Sequence, residues 1–357
     1  MPISQRIAFD EDIPLTDLTR DALGWSPFFM SQLDIDELET LTPARIATVH
    51  RDRVVGFSEI GSLELTLDPQ ITTAEVAVGD WVLAAPAQHR LTRVLERKTE
   101  LSRSTEFHTG DKQLIAANLD TLFITSSCNN DFNVARLERY LALAHDAMVT
   151  PVILLTKADQ CDDPDAYVDQ ARALGRGLEV IALDAKTQDV AAILAPWCGK
   201  GQTVALAGSS GVGKTTVANA LTGGQAATQG IREDDARGRH TTTGRSLHAI
   251  PSGGWLIDTP GMRGLGLAEA AFGIDATFPE ISELVNQCKF RDCAHESEPG
   301  CAVQAAIAAR DIDPERLRRF KKLKRENTHA TETIAQSRER AKKFAKGVKR
   351  AIKKKGR

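Results

Sequence analysis

From Ala44 to Arg103 the apolar positions come in short runs separated by Gly, Asp and Pro. Arg45–Val49, Arg53–Phe57, Leu63–Leu67, Asp80–Ala84 and Leu91–Leu95 read as five strands, with clean period-two alternation in Leu63-Glu64-Leu65-Thr66-Leu67. Five such strands with tight turns predict a small Greek-key barrel of the OB type. From Gln113 to Leu267 the pattern changes to apolar runs alternating with helical stretches. Thr121–Thr125, Val149–Leu155, Val180–Leu183, Thr203–Ala207, Ser246–Ile250 and Trp255–Ile257 read as strands, with helices over Val134–Ala147 and from Val217 to Leu221. That alternation predicts a doubly wound α/β domain with a mainly parallel sheet. Asp313-Pro314-Glu315 opens a later helix with a cap, a proline at its first position and an acidic first turn. Leu317, Phe320 and Leu323 give that helix a short apolar stripe.

The expected organisation is an N-terminal extension (1–43), the barrel (44–106), the α/β domain (112–268), a small helical module (269–325) and a basic tail (326–357). Leu23 to Phe29 carries three aromatics that need a docking surface, which the sequence does not identify.

The strand Thr203–Ala207 runs into Gly208-Ser209-Ser210-Gly211-Val212-Gly213-Lys214-Thr215-Thr216, the G-x-x-x-x-G-K-[ST] phosphate loop between strand and helix. Its glycines let successive N–H groups point inward at phosphate oxygens, and the following helix adds its positive end. Lys214 is expected on the β- and γ-phosphates and the Thr215 hydroxyl on Mg²⁺. Leu256-Ile257-Asp258-Thr259-Pro260-Gly261 is a strand running into D-x-x-G, placing Asp258 in the Mg²⁺ shell and the Gly261 N–H at a γ-phosphate. Thr156-Lys157-Ala158-Asp159 ends another strand and matches the [NT]-K-x-D element, whose Asp accepts two hydrogen bonds from guanine. Leu183-Asp184-Ala185-Lys186 is the accompanying base-side loop, with Asp184 in place of the usual Ser. Gly238-Arg239-His240-Thr241-Thr242-Thr243 supplies a switch threonine for Mg²⁺, either Thr243 or Thr242. Met262 follows Gly261 and cannot orient water, which leaves His240 as the nearby side chain able to do so, or as a surface residue. The base-recognition element precedes the phosphate loop, so the domain is circularly permuted.

Composition adds two points. The chain has 357 residues, 42% hydrophobic and 26% charged, with no apolar run long enough to cross a bilayer and no secretory signal at the N-terminus; the expectation is cytoplasm and no membrane. Its net charge of −3 conceals an asymmetry: Arg316 to Arg357 holds 18 Lys+Arg against 3 Asp+Glu. A cationic end on an anionic body suits a polyanionic partner. Three of six cysteines cluster as Cys288-x₄-Cys293-x-His295-x₅-Cys301, the ligand count of a closed structural zinc site.

Taken in order, these five motifs resemble the RsgA (YjeQ) family of small-ribosomal-subunit biogenesis GTPases over about residues 44 to 325. The resemblance implies an OB-fold, a permuted GTPase domain and a zinc domain. It also implies GTP hydrolysis stimulated by the small subunit, with release following hydrolysis, and a role in late maturation of that particle. By motif it places guanine contacts on Thr156, Lys157, Ala158 and Asp159, phosphate and Mg²⁺ contacts on Gly208 to Thr216, and zinc ligands on Cys288, Cys293, His295 and Cys301. Partners are then the particle, its rRNA, GTP and GDP, with the chain acting as a monomer. The rival from another class is an RNA-binding assembly protein that holds GTP with only incidental turnover.

Overall fold

The computed structural model describes residues 18–104, 112–224, 245–258 and 270–331, which form two compact units. The first unit begins with two short helices, α1 (Pro27–Met30) and α2 (Ile35–Thr40), the latter started by a reciprocal capping box between Asp34 and Glu37. Five barrel strands follow: β1 (Thr42–Val49), β2 (Val54–Ser58), β3 (Gly61–Leu67), β4 (Trp81–Ala85) and β5 (Arg90–Val94). They pair in the order β1-β2-β3-β5-β4 and close through β1–β4. Ala44, Ile46, Val54, Leu65, Val82 and Leu91 fill the barrel core, the inward half of the alternation read from the sequence. The aromatics of Leu23–Phe29 dock on this barrel: the Trp25 and Phe29 rings lie 4.7 and 5.8 Å from that of Trp81.

Strands β6 (Glu100–Ser104) and β7 (Lys112–Ala117) form a separate two-stranded ribbon. The chain then alternates through β8 (Thr121–Ser127), α3 (Val134–Asp146), β9 (Thr150–Thr156), α4 (Pro164–Arg172), β10 (Glu179–Ala182), α5 (Val190–Leu194), β11 (Thr203–Gly208), α6 (Lys214–Thr222), β12 (Ser246–Ala249) and β13 (Trp255–Asp258). Strands β10, β9, β8, β11 and β13 run parallel, and β12 lies antiparallel beside β13. β8 and β11 are buried along their whole length, as central strands covered on both faces must be. Phe123, Val152, Leu154, Val204, Leu206, Val217 and Leu256 form the core beneath α6. The expected α/β fold with an OB-type barrel is therefore present. One feature was not expected: β12 also pairs with β1 at Ser246↔Thr48, so barrel and α/β strands belong to one eleven-stranded sheet.

Among the described residues the second unit comprises 102–104, 112–113, 138–146 and 270–331. Its helices are α7 (Ala271–Thr277), α8 (Pro279–Val285), α9 (Ala302–Ala309) and α10 (Pro314–Thr331), together with the later turns of α3. α7 approaches α3 through Gly273, where a Cβ would sit 1.9 Å from the Ala142 carbonyl. Glu138 is fully buried and accepts from Arg316 Nη1 at 2.9 Å and Arg319 Nε at 2.7 Å, while Arg316 also stacks over Phe278. Burial pushes the Glu138 carboxyl upward, against the pull of the two guanidinium groups. Among the described residues no helix is long and apolar enough to cross a membrane.

Candidate active site and metal centre

The phosphate loop is shaped by backbone conformations that only glycine adopts readily. Gly208 has φ +142°, and a Cβ there would lie 2.2 Å from the Thr125 carbonyl on the neighbouring strand. Gly213 has φ +95° and sits at the start of α6, whose first turn carries Lys214, Thr215 and Thr216. The N-terminus of α6 thus opens directly onto the loop, with its unsatisfied N–H groups and positive dipole end. The Lys214 ammonium folds over the loop and donates to the Gly208 carbonyl at 2.9 Å and to that of Ser209.

The Thr156-Lys157-Ala158-Asp159 element meets this loop through Thr156. Its hydroxyl lies 2.5 Å from the Val212 carbonyl and 3.1 Å from the Ser126 carbonyl, and the residue is 1% exposed. One side chain therefore ties the end of β9 to both β8 and the phosphate loop. Lys157 then takes a left-handed conformation (φ +58°) that turns the chain into Ala158 and the exposed Asp159. The Ala158 N–H reaches the Leu183 carbonyl at 3.4 Å, which joins the two base-side loops. Asp184 organises the second of them. Its carboxylate accepts from the Lys186 N–H at 2.9 Å and from the Thr187 hydroxyl, and these bonds hold its pKa below the usual carboxylate range.

Asp258 ends β13, which runs parallel to β11, so it stands at the same sheet edge as the phosphate loop. His240, Thr242, Thr243, Gly261 and Met262 lie outside the described residues. Sequence reasoning did not foresee that Thr156 would bond to the loop carbonyls, because a hydroxyl at that position gives no hint of its acceptor. Nor did it assign Gln188, whose side chain accepts from the Asp184 N–H at 2.9 Å.

In the second unit, Cys288, Cys293, His295 and Cys301 converge, with ligand atoms all within 4.8 Å of one another. The Cys288 and Cys301 sulfurs are 3.9 Å apart, and each is 3.5 Å from His295 Nδ1. With bonds of about 2.3 Å to sulfur and 2.1 Å to nitrogen, tetrahedral coordination separates two sulfurs by ~3.8 Å and sulfur from nitrogen by ~3.6 Å. The donor set fits a tetrahedral metal, and none of the three cysteines is in a disulfide. Burial and Lys321 hold the His295 imidazole below its ordinary pKa, toward the neutral form a metal binds. Gln304 Nε2 and Lys321 Nζ donate to the His295 carbonyl at 2.7 and 3.1 Å and fix this left-handed residue. Gln304 stands three residues after Cys301 on the first turn of α9, a spacing that could have identified it.

A phosphate loop at the end of a central parallel strand, with the base-side loop contributed by an earlier strand, defines a circularly permuted P-loop GTPase. The family model for the RsgA GTPase matches residues 94–268. A small ribosomal subunit biogenesis GTPase RsgA from Mesorhizobium japonicum is 58% identical, over 87% of this chain and 90% of its own. The corresponding RsgA 2 of Vibrio vulnificus is 46% identical, over 92% and 93%. Among solved structures, YjeQ from Thermotoga maritima superposes with a TM-score of 0.59 at 24% identity, over 79% of this chain and 97% of its own. YloQ, described as a circularly permuted GTPase, gives 0.57 at 24%, over 82% and 97%. The chain belongs to the RsgA GTPase family and is a GTP hydrolase.

Proposed function

We propose that this GTPase binds the small ribosomal subunit in its GTP state, assists late maturation of the particle, and leaves after hydrolysis. The small-subunit part of the reading is supported by relatives named small ribosomal subunit biogenesis GTPase at 58% and 46% identity, and its nucleotide part by the bond from Thr156 to the Val212 carbonyl, which joins the base-side element to the phosphate loop. Guanine is read by Asp159 with Lys157 and Ala158 alongside, and Thr156 acts by holding that loop against the phosphates. The backbone N–H groups of Gly208 to Thr216 cradle the phosphates, Gly261 meets the γ-phosphate, and Lys214 swings from its loop carbonyls to the β- and γ-oxygens. Thr215, Asp258 and Thr243 or Thr242 are the residues to hold Mg²⁺, which when bound neutralises charge developing on the phosphoryl oxygens. Met262 offers no hydrogen bond to water, so intrinsic turnover is slow, and His240 is the residue in this chain to position the attacking water.

The four donors of the second unit hold zinc. Three thiolates and an imidazole complete a tetrahedral shell, so the site is structural and leaves no position for a reacting water. The domain limits 44–106, 112–268 and 269–325 describe how function is divided among barrel, nucleotide domain and zinc module. The basic helix and tail contact rRNA phosphates, which supply affinity without reading sequence. The chain works in the cytoplasm as a monomer. The decisive experiment is GTP turnover by the purified protein with and without small subunits. A rate increase of at least an order of magnitude is expected by analogy with other externally activated GTPases; equal rates would leave an RNA-binding protein with incidental turnover.

A further inference from the structure

The carboxylate assigned to guanine is held in place by its backbone. Among the described residues the exposed Asp159 side chain makes no hydrogen bond or ion pair. It rides on a single 3₁₀ turn, Ala158–Gln160, closed by the Gln160 N–H on the Lys157 carbonyl at 3.0 Å. The Ala158 N–H ties that turn to the neighbouring loop by reaching the Leu183 carbonyl at 3.4 Å. Whatever orients this carbonyl therefore bears on Asp159, one residue further on.

The Leu183 carbonyl and the Asp184 N–H belong to one planar peptide unit, so neither turns without the other. The Asp184 N–H donates to Gln188 Oε1 at 2.9 Å, and the Gln188 N–H donates back to the Asp184 carbonyl at 3.1 Å. On the other side, the Leu183 N–H extends the β10 ladder to the Leu155 carbonyl at 2.9 Å, and the Leu183 side chain is fully buried. The Asp184 carboxylate is occupied within the loop by the Lys186 N–H and the Thr187 hydroxyl.

Gln188 is itself anchored to a regular element. Its carbonyl accepts from the Val190 N–H at 3.0 Å, and Val190 is buried in the core. Asp189 caps α5 by accepting from the Ala192 N–H at 3.0 Å. A continuous chain of contacts thus runs from the start of α5 through the Gln188 amide and one peptide plane to the turn that carries Asp159.

We propose that Gln188 is a positioning residue for guanine recognition: by fixing the Leu183–Asp184 peptide it sets the acceptor for Ala158, and with it the place at which Asp159 meets the base. The proposal rests on the reading of Asp159 as the guanine contact. Two hydrogen bonds from one ring to one carboxylate weaken together when that carboxylate shifts or tilts, so a small error in the turn is felt in both.

The test is a double-mutant cycle in the full chain with Mg²⁺, read as affinity for a fluorescent GDP analogue. Gln188→Met keeps the length of the side chain and removes the acceptor; it should weaken GDP binding about fivefold, the scale of one neutral hydrogen bond. Gln188→Glu, which keeps an acceptor oxygen at the same reach, should stay within about twofold of wild type. In an Asp159→Ala background, Gln188→Met should cause no further loss, whereas a residue that merely closes an exposed turn would act alike in both backgrounds. Unchanged GDP affinity in Gln188→Met, an equal loss with and without Asp159, or a loss in Gln188→Glu as large as in Gln188→Met would each overturn the proposal. Wild-type GDP binding by Asp159→Ala alone would instead overturn the guanine reading on which it stands.

Discussion

The phosphate loop of the first unit is held by backbone: glycine torsions at Gly208 and Gly213, carbonyls presented to Lys214, and one threonine hydroxyl pinned to Val212. The cluster of the second unit is held by side chains, three sulfurs and an imidazole drawn together from a loop with almost no strand or helix of its own. The difference follows from what each unit can bury. A central strand such as β8, buried at all seven positions, makes a rigid platform on which a loop needs only local geometry. The second unit has short helices of seven or eight residues before α10, and such small cores commonly require a metal or ionic cross-link.

If that contrast is right, metal removal should divide the molecule. Chelation should unfold the 288–301 loop with α8 and α9, since structural zinc contributes roughly 10–16 kcal/mol of apparent folding energy in small domains. Hydrogen exchange should then show lost protection over 279–309 and unchanged protection along β8 and β11; loss in both units together would dissolve the distinction. Glu138→Ala should be next in size, costing about 3–5 kcal/mol in denaturant unfolding, because it removes the buried carboxylate that Arg316 and Arg319 share and leaves a gap beside them. The effect belongs to the second unit, so GDP affinity should stay near wild type. Gly208→Ala tests the backbone side of the comparison: a left-handed φ and a 2.2 Å approach to Thr125 should cost about 1–3 kcal/mol and weaken nucleotide binding, read by a fluorescent GDP analogue. The smallest effect should come from Thr156→Val, about 1 kcal/mol for the lost hydrogen bond, with Thr156→Ser restoring GTP affinity.

The glycine spacing of the phosphate loop, the apolar strand before it and the turn at T-K-A-D were legible because each needs particular residue types at fixed offsets. The four residues that could hold a metal, Cys288, Cys293, His295 and Cys301, were legible for the same reason, since three thiols and an imidazole at such spacing match a tetrahedral donor set. Strand limits came out within a few residues; β8, for example, extends to Ser127 past the expected Thr125. What the sequence concealed was tertiary. The docking of Trp25 and Phe29 on Trp81 depends on a surface made by a residue more than 50 positions away. Arg45, in a strand that reads as ordinary barrel, proves buried because Leu23 and Thr203 arrive from distant segments. Its role could not be read from alternation, which marks a face and not a partner.

The bridge between β1 and β12 bears on how such proteins can be taken apart. Excising the barrel would bare an unpaired edge on each fragment, and open edges invite intermolecular strand addition. A graft of a foreign head onto this nucleotide-binding body would therefore have to carry its own terminal strand, or a lysine-rich guard in its place, to remain dispersed in solution.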